Sequence, residues 1–183
     1  MALHNLNGVQ LLKIAVVSSP IRGETDRLLS EAAEHLNSRG TKLAGVVKVL
    51  EPSHLNSLDC DMDLRVLPNG PEIRITQSLG EGALGCRLDP GGIAEAVATV
   101  EHSDTGVADL FILNKFGPQE AEGRGFCGAI GTALEQGIPV LVGVGSNCRE
   151  AFEAFADGLA ENLPPDAEAI HSWCQTAMAE ANE

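Results

Sequence analysis

A short, strongly apolar run that passes through a turn into an amphipathic helix, and then into a second apolar run, is the feature that most narrows how this chain can fold. Leu11 to Ser18 (LLKIAVVS) is dense in aliphatic and β-branched residues, the mark of a strand buried on both faces. Ser19-Pro20-Ile21-Arg22-Gly23 supplies turn residues. From Glu24 onward, Leu28, Leu29, Ala32, Ala33 and Leu36 recur at helical spacing until Arg39-Gly40 gives a stop signal. Leu43 to Leu50 (LAGVVKVL) returns as a second buried strand. Strand, helix and strand in this order predict a βαβ unit and therefore a parallel sheet.

The rest of the chain continues the alternation with one interruption. Asp89-Pro90 reads as an N-cap followed by a proline at the first helical position, opening a helix through Ile93, Ala96, Val97 and Val100. Asp109 to Leu113 (DLFIL) reads as a third buried strand, Gly125 to Gln136 as a helix ended by Gly137, and Ile138 to Val144 as a fourth strand. Two helices follow, Arg149 to Leu159 with Phe152 and Phe155 inward, and Ala167 to Met178 after Pro164-Pro165. Residues 51–89 break the rhythm: Leu64 to Leu67 and Glu72 to Thr76 alternate around Asn69-Gly70 and predict a β-hairpin at the sheet edge. At 183 residues the chain has the size of one domain. The expected fold is a single three-layer α/β/α domain spanning residues 1–183, with a mostly parallel sheet and the hairpin region inserted at about 51–89. Aromatic residues make up 3% of the chain, so the core must rest on Leu, Val, Ile and Ala.

Charge narrows the partners. Twelve Lys plus Arg against 26 Asp plus Glu give a net charge of −14, a field that repels nucleic acid and anionic lipid. Neither is expected as a partner. An anionic ligand would need a local pocket of backbone amides with a few Arg or Lys. No apolar run approaches a membrane span, and Met1 to Gly8 lacks the basic flank and apolar core of a leader, so a cytoplasmic location is expected. The five cysteines, Cys60, Cys86, Cys127, Cys148 and Cys174, never form a C-x-x-C pair and are expected as thiols.

In open parallel sheets, ligands bind at the carboxyl ends of the strands, where loops run into helix N-termini. Three regions qualify. Ser18 to Thr25 has the position and length of G-x-x-x-x-G-K-[ST], the phosphate cradle. Ser19, Arg22, Gly23 and Thr25 would bind phosphate, and Thr25 with Glu24 would hold a metal. Ser18 stands in place of the first Gly, however, Pro20 removes a donor and Glu24 replaces the Lys, so an ordinary strand-to-helix turn is the alternative. The second region follows DLFIL: Asn114-Lys115-Phe116-Gly117-Pro118-Gln119-Glu120, then Gly123-Arg124-Gly125. A carboxylate pair usually closes this strand in phosphoryl-transfer enzymes; here it is Asn-Lys. One reading has Glu24 and Lys115 facing each other with exchanged roles, and the other takes both changes as the loss of a nucleotide site. Asn114-Lys115 also opens like the guanine-reading N-K-x-D, but residue 117 is Gly. Gly123 to Gly128 spells G-x-G-x-x-G, but no ribose-binding acid ends the next strand. The third region joins Asp59 to Asp63 with Gly80 to Asp89, where Cys60, Cys86 and Arg87 would form a soft-metal, thiol or oxyanion site; the alternative is two partly buried cysteines beside turns.

These blocks also carry a resemblance. Arg22-Gly-x-Thr25-Asp26-x-Leu28-Leu29, Cys60-Asp61-Met62-Asp63-Leu64, Gly85-Cys86-Arg87-Leu88-Asp89 and Asn114-Lys115-Phe116-Gly117-x-x-Glu120-Ala121-x-Gly123-x-Gly125 resemble the signature blocks of a bacterial family of unknown function. That family is grouped distantly with P-loop nucleoside triphosphatases of the thermophilic nucleotide phosphatase type, and the likeness covers roughly residues 12–175. It implies a P-loop-like fold, and the placement of members near molybdate-uptake genes implies a link to molybdenum handling. Relative to the nucleotide phosphatases the sequence departs at Ser18, Glu24, Asn114 and Lys115.

The expected function is therefore binding of a nucleotide phosphate or another oxyanion at a degenerate phosphate loop, with weak or lapsed triphosphatase activity. In that reading Lys115 is the electrophilic charge, Glu120 or Glu122 an acid or metal ligand, Arg124 an anion clamp, and Mg²⁺ the cofactor. The alternative is a non-enzymatic molybdate or molybdenum-cofactor binding protein; a scaffold for protein partners is a third class. The sequence leaves the oligomeric state open.

Overall fold

The computed structural model describes residues 12–50, 62–77 and 87–182. Its elements run β1 (Ile14–Val17), α1 (Glu24–Ser38), β2 (Leu43–Lys48), β3 (Asp63–Val66), β4 (Glu72–Arg74), β5 (Thr76–Gln77) and β6 (Arg87–Leu88). Then follow α2 (Pro90–His102), β7 (Leu110–Phe116), α3 (Pro118–Ala121), α4 (Cys127–Glu135), β8 (Val140–Val144), α5 (Arg149–Ala156), β9 (Ala160–Leu163) and α6 (Ala167–Ala181). Among the described residues, seven strands form one sheet in the order β4-β3-β2-β7-β8-β1-β9. β2, β7, β8, β1 and β9 pair in parallel, and the β3-β4 hairpin adds an antiparallel edge.

Both faces of the parallel sheet are covered, which is why its strands read as continuous apolar runs. On one face Ala15, Val17, Leu110 and Ile112 pack under Leu28, Leu29 and Leu36 of α1 and Ile170, Trp173 and Cys174 of α6. On the other, Val16, Val46, Phe111 and Leu113 meet Ile93 and Val100 of α2, Ile130 of α4 and Phe152 of α5. The architecture is the three-layer α/β/α arrangement that the sequence predicts, and it brings the carboxyl ends of β1, β8, β7 and β2 together along one sheet edge.

Differences from the sequence reading have local causes. The hairpin connection is a five-residue loop, 67–71, rather than a two-residue Asn-Gly turn; Leu67-Pro68 is cis, and Gly70 N–H donates to the Val66 carbonyl at 2.7 Å. The run 72–76 splits, because Thr76–Gln77 turn away to pair with Arg87–Leu88. Phe152 and Phe155 are both expected inward; Phe152 is fully buried, whereas Phe155 is 37% exposed, its ring reaching the buried Phe116 at 5.5 Å between centroids while its outer part stays in solvent. α5 stops at Ala156, since Asp157 (φ 49) and Gly158 (φ 75) are left-handed. The chain then forms β9, which the polar sequence Ala-Glu-Asn-Leu does not announce: it is an edge strand, so burial places no demand on its side chains.

Candidate functional site

The turn between β1 and α1 is closed largely by its own groups. Ser19 N–H donates to Thr25 Oγ1 at 3.0 Å, Ile21 N–H to Ser19 Oγ at 3.1 Å, and Glu24 N–H to the Ile21 carbonyl at 3.2 Å. Gly23, at φ 78, holds the left-handed conformation directly before the first helical residue, where a side chain would be strained. The amides of Arg22, Gly23, Thr25 and Asp26 have no hydrogen-bond partner among the described residues. Four donors therefore remain at the positive end of a 15-residue helix.

Glu24 does not meet Lys115. The Ser19 hydroxyl donates to Glu24 Oε2, and the Arg27 guanidinium lies 3.8 Å from Oε1 one helical turn on. Both partners lie within a few residues of Glu24 in the chain, and local geometry satisfies the carboxylate before a residue on another strand can. Lys115 is exposed and forms no ion pair among the described residues.

Asn114 is the outlier of the site. It lies in β7 opposite Gly143, is 2% exposed, and neither its Nδ2 nor its Oδ1 has a hydrogen-bond partner among the described residues. Strand alternation puts it on the α1 face with Leu110 and Ile112. A Cβ at Gly143 would stand 2.5 Å from Leu29 Cδ1, 3.0 Å from Thr25 Cγ2 and 3.5 Å from Asn114 Oδ1, so the amide oxygen and the Thr25 methyl both face this glycine under the first turn of α1. The Asn114-Lys115 peptide is cis, and the β7-β8 register shifts between Asn114 and Phe116.

Glu120, expected as an acid or metal ligand, is 6% exposed, and its carboxylate accepts from Gly117 N–H at 2.9 Å and from Phe126 N–H at 3.0 Å. It ties the start of α3 to the start of α4. A Cβ at Gly125 (φ 58) would collide with Glu120 Oε1, which accounts for glycine there and for α4 beginning at Cys127 instead of Gly125. Cys127 Sγ donates to the Glu120 carbonyl at 3.3 Å, and burial together with the Glu120 charge raises its thiol to about 11. Burial pushes Cys174 up to about 12. Neither is a thiolate nucleophile near neutral pH. Arg124 and Glu122 are exposed and paired with each other. Cys60 and Cys86 lie outside the described residues; Arg87 stands in β6, paired with Gln77.

Sequence reasoning missed one pair at this edge. Lys48 Nζ, at the carboxyl end of β2, lies 3.2 Å from Asp26 Oδ2 in the first turn of α1, and Ser30 Oγ donates to the Lys48 carbonyl at 2.8 Å. The signal was present, since Lys48 is the single charge inside LAGVVKVL. Asp26, Lys48, Asn114, Lys115 and Phe126 share a cavity of about 90 Å³. Among the described residues no three His, Cys, Asp or Glu side chains gather where they could hold a metal ion.

Residues 14–173 match the family described as "Protein of unknown function (DUF2478)". The molybdenum import ATP-binding protein ModC 2 of Bradyrhizobium diazoefficiens is 32% identical over 163 residues, a stretch that spans 88% of this chain and 18% of that protein. The solution structure of a human cancer-related nucleoside triphosphatase superposes with a TM-score of 0.59 over 91% of this chain and 96% of that one, at 15% identity. That likeness is one of fold alone, an α/β fold.

Proposed function

Starting from the premise that this chain belongs to the DUF2478 family, we propose that it binds the phosphate of a nucleotide, or another oxyanion, at the turn between β1 and α1. The observation that carries this reading is the set of four unpartnered amides, Arg22, Gly23, Thr25 and Asp26, at the N-terminus of α1 on the carboxyl edge of a parallel sheet. Ser19 shapes the turn, Arg22 and Lys115 supply charge, and Arg124 adds a cation once it leaves Glu122. The carboxylates that a hydrolase would direct at water or metal are already engaged by Ser19 and Arg27, by Lys48, and by two backbone amides. Binding therefore takes precedence over catalysis, and any triphosphatase activity is residual. The protein acts in the cytoplasm in this reading; no helix among the described residues is long and apolar enough to cross a membrane.

A second reading is favoured by the relative named as a molybdenum import ATP-binding protein: the anion is molybdate. Titration calorimetry separates the two. With a non-hydrolysable ATP or GTP analogue the wild type is expected to release saturable heat that Lys115→Ala and Arg22→Ala each weaken about tenfold. Heat with molybdate and none with either nucleotide would transfer the site to the second reading.

A further inference from the structure

We propose that this site takes its anion without a divalent cation, the positive charge coming from the Lys115 ammonium group and main-chain N–H dipoles instead; the proposal rests on the anion-binding reading above. Mg²⁺ is held by hard oxygens, mostly carboxylates and the substrate's own phosphates. Among the described residues, the carboxylates near the turn are engaged within the protein. Glu24 takes the Ser19 hydroxyl and faces Arg27, Asp26 is paired with Lys48 at 3.2 Å, and Glu120 accepts two backbone N–H groups. Thr25 Oγ1, the hydroxyl expected at a metal, accepts from Ser19 N–H.

The end of β7 is the decisive place. The side chain facing Gly143 beside the Thr25 methyl there is a neutral amide, 2% exposed, with both polar atoms unpartnered among the described residues, and the next residue is a lysine. A carboxylamide can offer a metal one weak neutral oxygen but no charge, and a neighbouring ammonium repels a divalent cation. An anion meets the opposite environment: Lys115 has no ion-pair partner among the described residues, Lys48 in the same cavity wall is already neutralised by Asp26, and the amides without a partner among the described residues are donors. Glutamate for lysine in the turn and lysine for an acid on β7 are thus one change in the type of site, from metal-assisted to metal-free.

The test is calorimetry of the whole chain with the non-hydrolysable ATP analogue and with inorganic pyrophosphate, once in excess MgCl₂ and once in EDTA. Affinity in EDTA is expected to equal or exceed that in magnesium, because the metal competes for the same phosphate oxygens. Lys115→Ala is expected to lose about tenfold in EDTA, with melting curves recorded to separate lost binding from lost folding. Asn114→Asp, which restores a carboxylate, is expected to make binding magnesium-dependent. A wild-type affinity that falls tenfold or more in EDTA would overturn the proposal while leaving the anion-binding reading in place; heat in neither buffer, with molybdate also silent, would overturn both.

Discussion

Glu120 shows how a residue type can mislead about its role. A carboxylate in a glycine-rich loop beside the end of a strand suggests acid chemistry, yet both of its oxygens are used to fasten Gly117 to Phe126. Replacing it with Ala strands two buried donors, and Glu120→Ala is expected to cost about 2–4 kcal/mol in urea unfolding, with Glu120→Gln recovering part of that by keeping one acceptor. A loss of ligand binding without a loss of stability would return Glu120 to the catalytic role. Asn114 is the converse case. Its identity is plain in the sequence, but only β7's place beside β8 and under α1 reveals that its amide is buried with no partner.

At the scale of elements, caps and apolar periodicity made most of the fold legible. Asp89 accepts from Gly91 N–H at 2.9 Å with Pro90 in the first helical turn, as the dipeptide predicts. Asp89→Ala is expected to destabilise the protein by about 1 kcal/mol with no change in anion affinity, since α2 lies on the sheet face opposite α1. Chemical denaturation checks the first part and calorimetry the second. Elements whose existence depends on a neighbour were not legible. β9 forms because β1 offers it a free edge, and α3 is a single turn shaped by Glu120; neither has a periodic apolar pattern of its own.

For the whole molecule, the net charge of −14 is a standing repulsion that folding must overcome. Salt screens it, so Tm is expected to rise by several degrees between low ionic strength and about 0.3 M NaCl. A fall would mean that surface pairs such as Arg65–Glu72 and Arg149–Glu153 outweigh the repulsion. Against the same field, Lys115 at the end of β7, with no ion-pair partner among the described residues, stands out as a place where an anion can approach.

By itself the sequence determined the α/β alternation, the parallel core strands, the edge hairpin and the loop that opens α1, because strand burial and helix amphipathicity are written in the spacing of apolar residues. Only the tertiary structure decided which charges meet: Glu24 turns to Ser19 and Arg27 rather than to Lys115, Lys48 reaches Asp26 across 22 residues of chain, and Asn114 comes to rest beneath Thr25 without a partner. Such pairings depend on strand order and on distances between side chains remote in the chain, and no local pattern encodes them.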